Sequence, residues 1–295
     1  MTQTVLPGVP EAFSLFGRPL YIAPLLPEAL EQQRQLYEKA LEDWRECPED
    51  PDRIIWLGRR TAYLGRYREA LAIFSIGLEK HSGYAKLYRH RGHRFITLRL
   101  FGNAIDDFEK AAELMVSAPD EVEPDGLPNP RGVPTSTLYF NVWYHLGLSY
   151  YLAGDLRRAL KAYRMCMKVS EMDEKYVATA HWTYMTLRLL GREKEAEKLL
   201  GRVEPDMDVV ENTHYHSCLL MYKGLRSPEK LMKEAREQGA LGLVTTGYGV
   251  ANWYSYNCDE ERAADILREI LALEGWAGFG YIAAEADLKR MGLKP

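Results

Sequence analysis

The chain repeats itself at a fixed interval. In "IIWLGRRTAYLGRYREALAIFSIGLE" Gly58 is followed by Gly65, Ala70 and Phe74, seven, twelve and sixteen residues on. "YRHRGHRFITLRLFGNAIDDFEKAAE" sets Gly92, Ala104 and Phe108 in the same frame 34 residues later. "VWYHLGLSYYLAGDLRRALKAYRMCM" gives the clearest copy, with Gly147, Gly154, Ala159 and Tyr163, and "TYMTLRLLGREKEAEKLLGRV" keeps Gly191, Ala196 and Leu200. Weaker copies run from Leu219 through Leu231 to Ala235, and from Ala251 through Ala263 to Leu267. Such a period implies stacked copies of one supersecondary unit, because no single copy can bury its apolar face alone.

These residues resemble the tetratricopeptide repeat, a helix-turn-helix unit of 34 residues. The resemblance covers roughly residues 50 to 275; it is clear in four units and degenerate in the fifth and sixth. The small residue lets the second helix approach the first, the mid-unit glycine closes the turn, and the alanine keeps the crossing tight. The expected fold is all-α, a right-handed α-solenoid of about six such units with capping helices.

The organisation expected around them is as follows. Residues 1–26 form a non-helical arm on the first helices, and 27–47 an amphipathic capping helix with Leu30, Tyr37, Ala40, Leu41 and Trp44 on its apolar face. Units one and two occupy 51–116, and units three to six occupy 138–275. Between them, Gly92 to Gly147 exceeds the period by 21 residues. The surplus, 117–137, is proline-rich and reads as a loop, either a surface insertion or a lid. Residues 276–295 hold a closing helix, Tyr281 to Met291, with a polar outer face.

Composition narrows the function. No stretch is long and apolar enough for a membrane span, and "MTQTVLPGVPEAF" has no signal-peptide pattern. Cys47, Cys166, Cys218 and Cys258 are widely spaced, which suits reduced thiols. A cytoplasmic protein is expected, an export signal already removed being the exception. The net charge of −4 and the clustering of basic residues in one unit argue against nucleic acid as a partner.

In a tetratricopeptide array the first helix of each unit lines the concave surface. The six corresponding windows, 54–64, 86–99, 138–152, 177–190, 213–223 and 245–256, contain no Asp or Glu, although the chain has 42. They hold six of the seven histidines and nine Lys or Arg. Solvated helix faces ordinarily mix both signs of charge. The residues whose offsets put them on one helical face are Arg59, Tyr63, Arg89, His93, Tyr144, Tyr151, His181, Arg188, His216, Lys223, Tyr248, Asn252 and Tyr256. In "YRHRGHRF", Arg89 and His93 face the groove while Arg91 and Arg94 point elsewhere.

Such a wall favours an acidic or aromatic peptide segment of a protein partner. The alternative is an enzyme or sensor holding a small anionic molecule in the same groove under the 117–137 loop. Tetratricopeptide domains that clamp chaperone carboxylates use Lys and Asn at set positions; here those positions hold Ile55, Arg59, His90, Asn141 and His145, so that ligand is not carried over.

Three further constellations compete. His90/His93 and His214/His216 are the nearest histidine pairs, but neither helix offers a carboxylate to complete a metal site. Glu211, His214 and Cys218 have relay spacing, although Cys218 stands where a buried residue is expected. His93, His181, Tyr144 and Arg59 could form an acid–base set only in a closed groove. Neither a metal nor a cofactor is expected, and oligomeric state is not legible.

Overall fold

The computed structural model describes residues 8–127 and 129–295. Residues 1–7 of the expected arm and Pro128 of the insertion lie outside the described residues. The chain divides into two compact units, 1–114 and 115–295, both built as all-α helical repeats.

Unit 1 begins with a short antiparallel pair, β1 (Ala12–Phe13) and β2 (Pro19–Leu20). Five helices follow: α1 (Pro27–Glu46), α2 (Pro51–Tyr63), α3 (Tyr67–Lys80), α4 (Ala85–Thr97) and α5 (Phe101–Met115). Asp50 starts α2 by accepting from the N–H groups of Asp52 and Arg53, and Pro51 occupies the first helical position, where no donor is lost. The described part of the arm is tied down. The Glu11 carboxylate accepts from the Arg68 N–H at 2.9 Å, and Ile22 packs at Gly65.

The repeat frame is a packing rule made visible. A Cβ on Gly58 would lie 2.4 Å from the Phe74 ring, one on Gly92 2.9 Å from Phe108, and one on Gly147 2.5 Å from Tyr163. Each aromatic sixteen residues on therefore fills the space its glycine leaves. The turn position seven residues after the small residue is left-handed throughout, with φ of +78° at Gly65, +85° at Gly154 and +68° at Gly191. Where the frame places Arg99 and Cys258 instead of glycine, the backbone still takes φ of 63° and 65°. The helix pairing thus imposes a conformation that costs a side-chain-bearing residue about 1 kcal/mol or more.

Unit 2 continues with α6 (Leu138–Leu152), α7 (Leu156–Met167), α8 (Asp173–Leu189), α9 (Glu193–Leu199), α10 (Thr213–Tyr222) and α11 (Pro228–Glu237). A single turn, α12 (Gly239–Gly242), runs through a π-helical turn at Leu243–Gly247 into α13 (Tyr248–Tyr256), followed by α14 (Glu260–Leu271) and α15 (Phe279–Arg290).

Two sequence expectations change here. First, the closing helix has no polar outer face: from Gly280 to Ala286 every residue of α15 is buried, and so is Leu288. It packs on the π-turn and α13, and Phe279 reaches His145 of α6 with ring centroids 5.6 Å apart. Second, α8 starts four residues before the acid-free window and carries Asp173 and Glu174 in its first turn. Glu174 is buried and accepts from the N–H groups of Val210, Glu211 and Asn212, which orders the 204–212 loop.

The 117–137 insertion is a loop with most of its described residues exposed, and it is tied to its surroundings at a few points. Val122 bridges Thr137, the Glu123 N–H donates to the Ser136 carbonyl, and the buried Glu123 carboxylate accepts from Asn141 Nδ2 at 2.6 Å. Arg131 pairs with Asp208, and Thr135 donates to Glu211 at 2.6 Å.

Candidate functional site

Unit 1 brings Arg59, Tyr63, Arg89 and His93 together. They line one cleft of about 110 Å³ with Ala62, Phe74, His90 and Arg94. The four frame positions come from α2 and α4, adjacent first helices whose faces are aligned by the glycine-aromatic contacts below them. Arg59 stacks its guanidinium over the Trp56 ring at 4.3 Å, and Arg89 Nη1 lies 3.2 Å from His90 Nδ1. His90 itself is buried and stacked on Phe74.

Spacing placed Arg91 and Arg94 outside this wall. For Arg91 that holds: it forms a two-bond ion pair with the buried Asp107 at 2.7 and 2.8 Å. Arg94 is corrected, because it lines the cleft. The cleft follows two adjacent faces of α4, and residues 90 and 94 stand one residue round from 89 and 93. The pairing of residues 89/90 with 93/94 was the available signal. Burial is the first cause that pushes the Arg94 guanidinium down to about 10; Tyr67 and Tyr63 oppose it, and the like charges of Arg89 and Arg59 add to it.

Unit 2 treats the equivalent positions differently. Tyr151 and His181 are at 0% exposure, Tyr248 at 1%, Asn252 at 3% and Tyr144 at 6%. These five are interior groups. Asn252 Nδ2 donates to the Tyr151 hydroxyl at 3.0 Å, the Tyr151 and Tyr248 hydroxyls lie 2.8 Å apart, and Tyr248 donates to Asp287 at 2.7 Å. His181 stacks on Tyr215 at 4.5 Å, and burial alone pushes its imidazole down to about 3, so it is neutral. Arg188 lies over Tyr256 at 4.3 Å. His216 donates to the Glu204 carbonyl at 2.8 Å and Lys223 pairs with Glu204 at 3.0 Å, so both act locally on the 204–212 loop.

The rival constellations separate. His214 Nδ1 contacts Thr246 Oγ1 at 3.0 Å, Glu211 accepts from Thr135, and Cys218 is fully buried with its thiol pushed up to about 12. A protonated thiol without its base is no nucleophile. Asn141 and His145 are buried and bonded to Glu123 and to the Asn141 carbonyl. Among the described residues, no group of three or more His, Cys, Asp or Glu is placed to hold a metal ion. No helix among them is long and apolar enough to cross a membrane.

The fold is that of an all-α helical-repeat protein, and several solved structures that resemble the chain are described as tetratricopeptide-repeat proteins. YrrB, described as a TPR protein with an unusual peptide-binding site, is 17% identical, with 86% of this chain and 99% of that one covered at a TM-score of 0.45. A tetratricopeptide repeat protein from Parabacteroides merdae is 15% identical over 88% of this chain and 98% of its own, at 0.49. The TPR-like repeats of a Podosopora anserina putative kinesin light chain are 14% identical over 82% and 98%, at 0.44. No family model and no curated protein matches the chain.

Proposed function

We propose that the protein is a repeat-type interaction protein whose unit 1 cleft takes a carboxylate-bearing side chain or chain end from an acidic, aromatic peptide segment. The observation that carries this reading is the convergence of Arg59, Arg89 and Arg94 with two imidazoles and Tyr63 in one small space. Guanidiniums recognise carboxylates through parallel N–H donors, and the rings beside them accept aromatic or aliphatic neighbours.

Size favours a peptide over a small anionic molecule. Sites that enclose a whole small molecule measure roughly 300–1,000 Å³. This cleft has about 110 Å³, which suits one side chain. The remainder of the ligand would lie across the surface, as a peptide does.

The test uses a fluorescein-labelled twelve-residue peptide alternating Glu with Tyr or Phe, titrated against the full chain by anisotropy. A Gln-for-Glu peptide is the control. Arg89→Glu is expected to weaken the acidic peptide at least about tenfold, in line with a charge-assisted contact, and rising salt should weaken it further. Equal binding of both peptides, or no effect of the reversal, would overturn the reading.

A further inference from the structure

Helix α4 carries two partly buried arginines that the fold treats differently. Arg91 has its own carboxylate, the buried Asp107, on two hydrogen bonds. Arg94, one turn on, has none. Among the described residues no carboxylate, hydroxyl or carbonyl accepts from its guanidinium, which lies over the Tyr67 ring at 5.5 Å. The groups that act on its charge are two tyrosines and two further arginines, Arg89 and Arg59. A cation withdrawn from water without a counter-charge loses hydration uncompensated, so native folds ordinarily pair it. Arg94 also lines the unit 1 cleft, where a group from outside can reach it.

Hydrogen bonding fixes much of the charge in this cleft. A guanidinium only donates, so the 3.2 Å contact from Arg89 Nη1 makes His90 Nδ1 the acceptor and its imidazole neutral. Arg59, Arg89 and Arg94 still bring three positive charges to about 110 Å³, before His93 is counted. Among the described residues no Asp or Glu lines that space. A carboxylate answers one such fork with two coplanar oxygens and a single negative charge. A phosphate monoester carries about −1.5 to −2 at neutral pH, and its three terminal oxygens point apart. That geometry suits donors arriving from two helices, α2 and α4.

We propose that the preferred occupant of the cleft is a phosphate monoester on a serine or threonine side chain of the bound segment, its terminal oxygens accepting from Arg59, Arg89 and Arg94. Phosphorylation of the partner then raises its affinity. This rests on the reading of the cleft as a peptide anchor. So small a space suits a phosphate on a short stem better than one on a phenyl ring. Inorganic phosphate shares the chemistry and is separated by competition.

The test repeats the anisotropy titration with one central Glu of the labelled peptide replaced by phosphoserine or by serine. The phosphoserine peptide is expected to bind at least about tenfold more tightly than the serine peptide and about threefold more tightly than the Glu peptide. Arg94→Gln should bring the phosphoserine and Glu peptides to within about twofold of each other, since the extra charge loses its partner. Arg59→Gln repeats the measurement from α2, so the answer does not depend on one variant folding. Unlabelled phosphoserine peptide should displace the labelled one at a concentration about a hundredfold below that of inorganic phosphate. Displacement at equal concentrations would overturn the peptide source, and indifference to both substitutions would overturn the site. Arg89-dependent binding of the Glu peptide with no phosphoserine preference would remove this proposal and leave the carboxylate reading in place. Phosphoserine binding beside equal Glu and Gln peptides would remove that reading and sustain this one, and binding of none would remove both.

Discussion

In unit 1 the inner helices α2 and α4 leave Arg59, Tyr63, Arg89 and His93 half-buried around an accessible cleft, whereas in unit 2 Tyr151, His181, Tyr248 and Asn252, on the equivalent face of first helices, are 3% exposed or less. Both sets obey one repeat frame. The difference comes from what stands opposite that face. In unit 2, α13 and α15 close against α6: Tyr248 bonds Tyr151, Trp182 stacks on Tyr248 at 5.7 Å, and Arg290 donates to the Leu152 carbonyl. A frame position therefore fixes which face a side chain takes and leaves open whether that face meets a ligand or the chain itself.

The missing carboxylates consequently have two meanings. In the unit 2 interior an unpaired carboxylate would forfeit its hydration, so tyrosine, histidine and asparagine supply polarity at lower cost. Glu174 enters that layer with several N–H donors directed at it. In unit 1 the cations themselves line an accessible surface, and the absence of acids from α2 beyond Asp52 and from α4 shapes its field.

The largest expected effect tests the closure of unit 2. A Cβ on Gly280 would lie 1.7 Å from the Val244 carbonyl oxygen and 2.8 Å from its carbon. Backbone cannot swing aside as a side chain does, so Gly280→Ala should lose about 4 kcal/mol in urea denaturation followed by tryptophan fluorescence. Gly58→Ala in unit 1 meets the Phe74 ring at 2.4 Å. That ring can tilt, and a loss of about 1–2 kcal/mol is expected. If the order were reversed, α15 would not be the core element that closes unit 2.

An intermediate effect comes from the buried imidazole. His181 is held near 3 by burial, against an ordinary value near 6.5. As pH falls below about 6.5, the unfolded chain takes up a proton that the folded interior refuses, so stability is present above that pH and declines below it. At about 1.4 kcal/mol per pH unit, the loss between pH 6.5 and 5 is about 2 kcal/mol. His214, also lowered by burial, adds in the same direction. His181→Phe keeps the stacking on Tyr215 and should flatten the stability-versus-pH curve; an unchanged slope would place the titration elsewhere.

Much of this architecture was legible from the 34-residue frame, because glycine-aromatic pairs such as Gly147 and Tyr163 are direct contacts that leave a trace at a fixed spacing. The cleft was half legible: Arg59 and Arg89 follow from helical offsets, while Arg94 required knowing that the cleft spans two faces of α4. Asp287 and Arg290 were not legible. Their helix reads as amphipathic enough for a cap, and only the tertiary pairing of α15 with α6 and α13 turns it inward. The anchoring of the insertion was equally hidden, since its five prolines exclude a helix but say nothing about hydrogen bonds between Glu123, Ser136 and Asn141.

The smallest expected effect concerns that insertion, which distinguishes unit 2 from the plain repeats of unit 1. Asn129 is 8% exposed; its Oδ1 accepts from the Arg131 N–H at 3.0 Å and its Nδ2 donates to the Val133 carbonyl at 2.7 Å. Alanine there would leave one backbone donor and one acceptor to be met by water. Because both groups lie near the surface, the loss should be about 1 kcal/mol, well below that of Gly280→Ala. The measurement is the urea midpoint of Asn129→Ala at constant m-value, which separates a change in stability from a change in exposed surface. A midpoint equal to that of the unaltered chain would mean that the segment folds and unfolds apart from the α6 end to which Glu123 and Asn141 tie it. The insertion would then be an appended loop, and the closure of unit 2 would rest on α13 and α15 alone.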